Sequence, residues 1–409
     1  MNGEIIAIGN EVVKGHVVNT NAAYIARKLE ELGISVDYHS TVKDDPTAIK
    51  ETFSQAMMRS RYIVITGGLG PTKDDLTKEA ICEVIGMPMY IREELLEKIK
   101  AHFEKVNKVM PDINKKQAVF PNEAYILKNV YGTAPGCVIA YQGREIILLP
   151  GPPSELYPMI ENELVPYLTK KQQLYSETLD IKLFGMSESE VAILLSDLLQ
   201  ESNEGSMATY VGEYEIIVRI AGWHKEKKKV KEFISQNQKQ VEGRLEKFVI
   251  GYNQDRLEDK IVKCLLDSQK TIATVESCTG GMLAQTLVNC EGVSACFNEG
   301  IVTYSNQAKM KYVGVKEETL LKVGAVSRET AKEMAEGIRK QAGADIGLST
   351  TGIAGPGGGT EEKPVGLVYI GIASENETDV YELHLSGSRQ EIREKTVKNV
   401  LFQLYQFFK

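Results

Sequence analysis

Twice along the chain, short aliphatic and β-branched runs alternate with amphipathic helical stretches, and no other feature of the sequence restricts the fold so tightly. Over residues 3–169, "EIIAIGN" precedes a helical pattern at 19–32 (Tyr24, Ile25, Leu29, Leu32) that stops at Gly33. A strand at 34–41, a helix at 47–59 and the strand "YIVIT" at 62–66 follow. From Asp255 the pattern resumes. A helix at 256–267 leads to strands at 271–275 and 297–304, a helix at 328–342, strands at 345–350, 365–373 and 379–385, and a closing amphipathic helix at 388–408. Such alternation predicts a parallel sheet covered by helices on both faces. In sheets of that kind, ligands sit at the carboxyl ends of the strands. The intervening segment 176–250 reads β, α, β, β, α, which predicts a small α+β domain. The expected fold class is α/β: two α/β/α sandwich domains, residues 1–170 and 253–409, joined by a βαββα domain at 171–252.

At 409 residues, more than one domain is expected. The 43% hydrophobic and 25% charged fractions are those of soluble globular proteins. The longest apolar runs, such as Ile146–Leu149, fall far short of the ~18 residues a membrane span needs. The opening "EIIAIG" lacks a signal-peptide layout, so a cytoplasmic location and no membrane partner are expected. Net charge is −8 without a basic stripe, which argues against nucleic acid as a partner. The lysine-rich run "HKEKKKVK" (224–231) reads as a solvated helix face. The six cysteines show no CxxC spacing and read as free thiols.

Three polar loops, each punctuated by Gly or Pro, end strands of the first sheet: "GNEVVKGHVVNTNA" (9–22), "TGGLGPTKDDLTKEA" (66–80) and "LPGPPSE" (149–155). In the second, Gly67, Gly68 and Gly70 permit positive φ or close approach to a ligand. The helix start behind them offers backbone N–H groups and dipole to a phosphate. Asp74 and Asp75 suit a hard cation such as Mg²⁺ that bridges protein and phosphates. The bland alternative makes Asp75 an N-cap and the glycines a turn.

These motifs resemble the molybdopterin-binding fold of MoaB/MogA-type proteins and the N-terminal part of the CinA (competence/damage-inducible protein A) family. That resemblance implies an ADP-ribose pyrophosphatase with a divalent metal. Asn21, Gly67, Gly68, Gly70, Thr72 and Gly151 would bind substrate, and Asp74, Asp75 and Glu11 would hold the metal. Asn10 stands where the family usually has Asp, which weakens the expected metal site. The middle segment is similar to a KH-type module but lacks the GxxG loop that clamps nucleic acid. It reads as a structural or dimerising spacer, and a homodimer is the expected assembly.

The C-terminal segments "ESCTGG" (276–281), "GVSACFNEGIVTYSNQAK" (292–309), "STTGIAGPGGGTEEKPVG" (349–366) and "SGSR" (386–389) resemble the CinA C-terminal domain. This is a PncC-type amidase acting on nicotinamide mononucleotide (NMN), with no cofactor implied. The motifs hold no histidine, so a Ser–His–Asp triad is not expected, and a lysine of lowered pKa is the alternative base. The family's Ser/Tyr/Lys set maps onto Ser294 or Ser277, Tyr304 and Lys309, with Ser294 slightly favoured. Ser277 lies at a strand-to-helix turn that also reads as a phosphate cradle built from Thr279, Gly280 and Gly281, with Glu276 beside it as a substrate-binding residue. Thr351, Gly352 and Gly355 open a second anion or oxyanion loop. Arg389 and Arg393, one turn apart, suit a phosphate clamp. Cys278 is expected to be a small packing residue.

Overall fold

The computed structural model describes residues 2–105, 107–172, 174–200, 202 and 204–409. It divides into two compact units: 1–178 with 200–207 and 220–237, and 179–199 with 208–219 and 238–409.

The first unit is built on a six-stranded sheet of β1 (Asn2–Ile8), β2 (Ser35–Val42), β3 (Tyr62–Thr66), β4 (Tyr125–Leu127), β5 (Gly136–Tyr141) and β6 (Arg144–Leu149), in the order β2-β1-β3-β6-β5-β4. Alternate residues of the central strands are buried on opposite faces. Ile5, Val64 and Ile147 pack with Ile25 and Leu29 of the helix Thr20–Glu31, whereas Ile6, Ile63 and Ile146 pack with Ile49 and Phe53 of the helix Pro46–Arg59. A strand buried on both faces needs helices on both, hence the α/β/α sandwich.

One expectation needs correcting. Four strands are parallel, but at one edge β5 runs against them, paired antiparallel with both β6 and β4. The reason is the connection "YQGR": Gln142 and Gly143 both adopt positive φ, 47° and 77°. That is a two-residue hairpin, and a hairpin cannot make a parallel crossover.

The middle segment forms a four-stranded sheet of β7 (Tyr175–Leu183), β8 (Gly205–Val211), β9 (Ile216–His224) and β10 (Val249–Tyr252), in the order β8-β9-β7-β10. The division between the two units runs through it. In the lysine-rich run, Lys225 and Lys227–Lys229 are exposed while Val230 is buried, as a solvated helix face requires.

The second unit carries β11 (Ile272–Glu276), β12 (Phe297–Val302), β13 (Ile346–Gly352), β14 (Leu367–Ala373) and β15 (Thr378–His384), in the order β12-β11-β13-β14-β15. β12, β11 and β13 are parallel; β14 and β15 are antiparallel additions. Ile272, Leu348 and Ile370 pack against the helices Leu257–Asp267 and Arg389–Phe407. On the other face, Val275 packs with Met334 and Ile338 of the helix Arg328–Gln341. That helix lies so close that a Cβ on Gly347 would come within 2.2 Å of the Ala335 carbonyl oxygen. Because β11, β12 and β13 are parallel, Ser277, Thr303 and Thr351 all lie at the same edge of the sheet. Among the described residues, no helix is long and apolar enough to cross a membrane.

Candidate functional site

At that edge β11 ends in Glu276, and the chain turns through 277–281 before the helix Met282–Val288 begins. Gly280 and Gly281 take φ of 60° and 94°, the left-handed values such a turn requires. The Glu276 carboxylate is 1% exposed and accepts the N–H groups of Gly281 (2.9 Å), Leu283 (3.0 Å) and Ala284 (2.8 Å). A helix start offers only a few free N–H groups, and here a side chain fills them. Glu276, Gly280 and Gly281 therefore build the turn. The phosphate cradle expected at this helix start is already occupied by the protein's own carboxylate.

The turn holds Ser277 half-buried, with its N–H donated to the Thr350 carbonyl at 2.9 Å. Thr279 is buried and shares a 2.7 Å hydroxyl–hydroxyl bond with Thr350. Lys309, on the helix Asn306–Val313, is 1% exposed. Its Nζ donates to Ser277 Oγ at 2.9 Å, to the Thr303 carbonyl at 2.8 Å and to the Tyr304 carbonyl at 3.5 Å. Burial pushes the Lys309 ammonium down to about 8. An amine with a lowered pKa, within hydrogen-bond reach of a serine hydroxyl, has the geometry that a nucleophile–base pair requires.

Ser294, the serine favoured by the sequence reading, does not join this cluster. It is exposed in the short 3₁₀ turn Val293–Ala295 that precedes β12, at the amino-terminal edge of the sheet. With β11 and β12 parallel, the length of a strand separates it from Lys309. Tyr304 is likewise displaced from its expected part. Its phenol is exposed and accepts from Arg389 Nη2 at 3.2 Å, so only its backbone carbonyl touches Lys309. Burial pushes the Cys278 thiol up to about 12, which keeps it neutral and inert.

Both arginines reach the mouth of the site. Arg389 donates to the Gly355 carbonyl at 2.7 Å, and Arg393 to the Thr279 carbonyl at 2.7 Å. Thr351, at the end of β13, donates its hydroxyl to the Ala325 carbonyl at 2.7 Å, and Gly352 closes the strand. These two residues brace the loop that follows. Thr350 was missed by the sequence reading, although its place at the end of a parallel strand was a usable signal.

In the first unit the three polar loops converge as expected. Gly9, Glu11, Gly67, Gly68, Gly70, Thr72, Asp74, Asp75 and Gly151 line one cavity of about 430 Å³. Gly67 and Gly68 take φ of 103° and 65°. A Cβ on either would collide with the Ile8 carbonyl or the Thr77 hydroxyl. Asn21 stands behind the cavity and braces it, donating to the Gly151 carbonyl at 2.6 Å. The Asp75 carboxylate accepts the Thr72 N–H (2.8 Å) and hydroxyl (2.6 Å), so it closes the glycine loop on itself.

Among the described residues, no three His, Cys, Asp or Glu side chains are grouped so as to hold a metal unaided. Asp74 and Glu11 are exposed on the cavity wall. That donor set suits Mg²⁺, which keeps several waters and is commonly shared between one or two carboxylates and substrate phosphates. Asp44 and Glu155 line the same cavity and were not singled out beforehand. Asp44 Oδ2 accepts the Asn10 N–H at 2.8 Å.

The fold and these sites define a multidomain α/β protein with a glycine-loop cavity in one sandwich and a serine–lysine pair in the other. Comparison with family models matches residues 4–170 to "Probable molybdopterin binding domain", 179–251 to "Damage-inducible protein CinA KH domain" and 254–408 to "CinA C-terminal domain". The competence-damage inducible protein of Clostridium novyi (strain NT) is 47% identical over 98% of this chain and 97% of its own length. That of Clostridium perfringens (strain ATCC 13124) is 48% identical over the same shares. A crystal structure of competence/damage inducible protein CihA from Agrobacterium tumefaciens, 42% identical, covers 36% of this chain and 92% of that one, with a TM-score of 0.36. The chain belongs to the CinA, competence/damage-inducible protein, family.

Proposed function

We propose that the C-terminal site hydrolyses the amide of nicotinamide mononucleotide to nicotinate mononucleotide and ammonia, with Ser277 as nucleophile and Lys309 as base. The observation that carries this reading is the 2.9 Å contact between Lys309 Nζ and Ser277 Oγ, made by a lysine that is 1% exposed. Neutral Lys309 takes the hydroxyl proton as Oγ attacks the carboxamide carbon. The resulting ammonium returns that proton to the departing nitrogen, so ammonia leaves and an acyl ester remains on Ser277. Water, deprotonated by Lys309 in the same way, then attacks the ester and releases the acid. Cys278 and Thr279 follow Ser277 in the turn, and their N–H groups are the proposed oxyanion donors. Arg389 and Arg393 supply positive charge for the nucleotide phosphate.

Ammonia release from NMN by the purified full chain tests the reading. Ser277→Ala is expected to lower kcat by at least ~10³-fold, whereas Ser294→Ala is expected to leave it within about twofold. The opposite pattern would return the nucleophile to Ser294.

For the N-terminal cavity the reading is cleavage of ADP-ribose-like pyrophosphates. A divalent cation held there by Asp74 and Glu11 would neutralise the pyrophosphate charge. The chain's own contribution is the glycine loop, whose N–H groups and following helix start hold phosphate oxygens. One observation favours a second reading, a nucleotide- or pterin-binding module without turnover. Asp75 Oδ2 accepts both Thr72 contacts, which leaves that carboxylate one oxygen for a cation.

A further inference from the structure

The unit that carries the glycine-loop cavity has a second concavity, of about 380 Å³, which no step above uses. It lies between the helix Glu93–Lys105 and the segment 126–135. Leu95, Ile99 and Ile126 give it an apolar floor, and Lys98, Lys105 and Lys128 give it cationic walls; among the described residues no carboxylate lines it. That chemistry accepts a flat uncharged ring with anionic substituents, and the volume falls in the ~300–1,000 Å³ range of ligand pockets.

The groove and the phosphate cavity share a wall. Thr133 lines both. The wall is the turn 129–134, and Asn129 builds it. Its Oδ1 accepts the N–H groups of Tyr131 (3.1 Å) and Gly132 (2.8 Å), while its Nδ2 donates to the Ala134 carbonyl (2.9 Å) and the Glu155 carboxylate. Glu155 itself lines the phosphate cavity. Gly132 passes so near it that a Cβ there would lie 2.3 Å from the carboxylate. One thin, braced turn therefore separates an apolar, cation-walled groove from a glycine-loop phosphate site.

We propose that the groove is the second lobe of the N-terminal site and receives the nucleoside half of a nucleoside diphosphate whose phosphates lie in the glycine-loop cavity. This rests on the nucleotide reading of that cavity. The base lies on Leu95, Ile99 and Ile126, and the lysines face the sugar and the phosphate chain. Bare pyrophosphate then fills only the cavity, whereas a nucleoside diphosphate fills both lobes.

Calorimetric titration of the full chain with ADP and with inorganic pyrophosphate, in Mg²⁺ buffer, tests this. Ala101 lines the groove from an exposed helical position, so Ala101→Phe fills the groove without removing a core residue. ADP is expected to bind the wild type at least roughly tenfold tighter than pyrophosphate. Ala101→Phe should erase that difference while leaving the pyrophosphate Kd unchanged. The double variant Lys98→Glu, Lys105→Glu, also at exposed helical positions, should weaken ADP binding and guards against a misfolded first variant. ADP binding no tighter than pyrophosphate, or unaltered in both variants, overturns the proposal. ADP-ribose cleavage measured alongside keeps the two readings apart. No cleavage with ADP discrimination intact would sink the pyrophosphatase and leave the groove standing; intact cleavage with unaltered ADP binding would do the reverse. A wild type that binds neither ligand overturns both.

Discussion

Two buried lysines show why burial alone does not make a catalytic base. Lys78 and Lys309 are both pushed down to about 8 by burial. Lys78 donates to the Lys116 and Val119 carbonyls and lies 4.2 Å from the Phe120 ring centroid, which ties its helix to the neighbouring segment. Lys309 has a serine hydroxyl in reach, and that contact distinguishes it. The pH behaviour follows from the sign of its shift. A lysine lowered from 10.5 to about 8 loses its proton as pH rises through 8, and the neutral form is the base. The kcat/KM for NMN is therefore expected to rise with pH to a plateau above an apparent pKa of about 8. Between about 8 and 10.5 the unfolded chain holds a proton that the folded chain has lost, so this group's contribution to stability also rises with pH there. A flat rate profile between roughly pH 6 and pH 9 would contradict the role. Lys309 was named from the family resemblance, with the lack of histidine in the C-terminal motifs leaving a lysine as the expected base. Which of the two serines lies beside it was not legible, because spacing along a chain does not say which edge of a sheet a residue reaches. Ser277 follows β11 and Ser294 precedes β12, and only the parallel pairing of those strands places them at opposite edges.

The turn 277–281 shows at the level of an element how a sequence signal can be correct in place and wrong in occupant. Glycines at a helix start after a strand do mark a site for negative charge, and the charge is Glu276, three of whose contacts are backbone N–H groups. Its role makes a testable claim. Glu276→Gln keeps the shape, but turns an amide –NH₂ toward donors and leaves a single neutral acceptor. Replacing a buried, charge-assisted cap in this way is expected to cost about 1–3 kcal/mol, read as a lower urea midpoint for the loss of NMN deamidation. An unchanged midpoint would mean that the turn holds itself without the carboxylate. The antiparallel edges were the other illegible feature at this level. β5 and β14 are apolar runs like the parallel strands, although β15 alternates polar and apolar residues. The distinguishing mark in the first unit is a two-residue connection, Gln142–Gly143, which a reading based on alternation passes over.

At the scale of the whole molecule, the two sandwiches were legible because most of their parallel strands are followed by a helix that covers them. The middle segment was legible as a small βαββα domain, and the division between the two compact units runs through its sheet. Each site draws all its residues from one unit: Ser277, Lys309, Thr350 and Arg393 from the second, and the glycine loop, Asp74 and Glu11 from the first. The proposed chemistries also differ in what they need. Proton transfer in the second unit is assigned to Lys309, which requires no cation. In the first, Asp74 and Glu11 would hold a cation that would neutralise the pyrophosphate charge. The two activities of one chain should therefore be separable in a crossed experiment. Excess EDTA, or Asp74→Ala, is expected to reduce ADP-ribose cleavage by at least about 10²-fold while NMN deamidation stays within about twofold. Ser277→Ala is expected to do the reverse. Assaying both substrates on each full-length variant, with and without EDTA, checks the crossing directly. Deamidation that falls with EDTA would remove Lys309 as a sufficient base. ADP-ribose cleavage that survives both EDTA and Asp74→Ala would remove the cation from the first site, and would leave the glycine loop to hold the phosphates by its N–H groups alone.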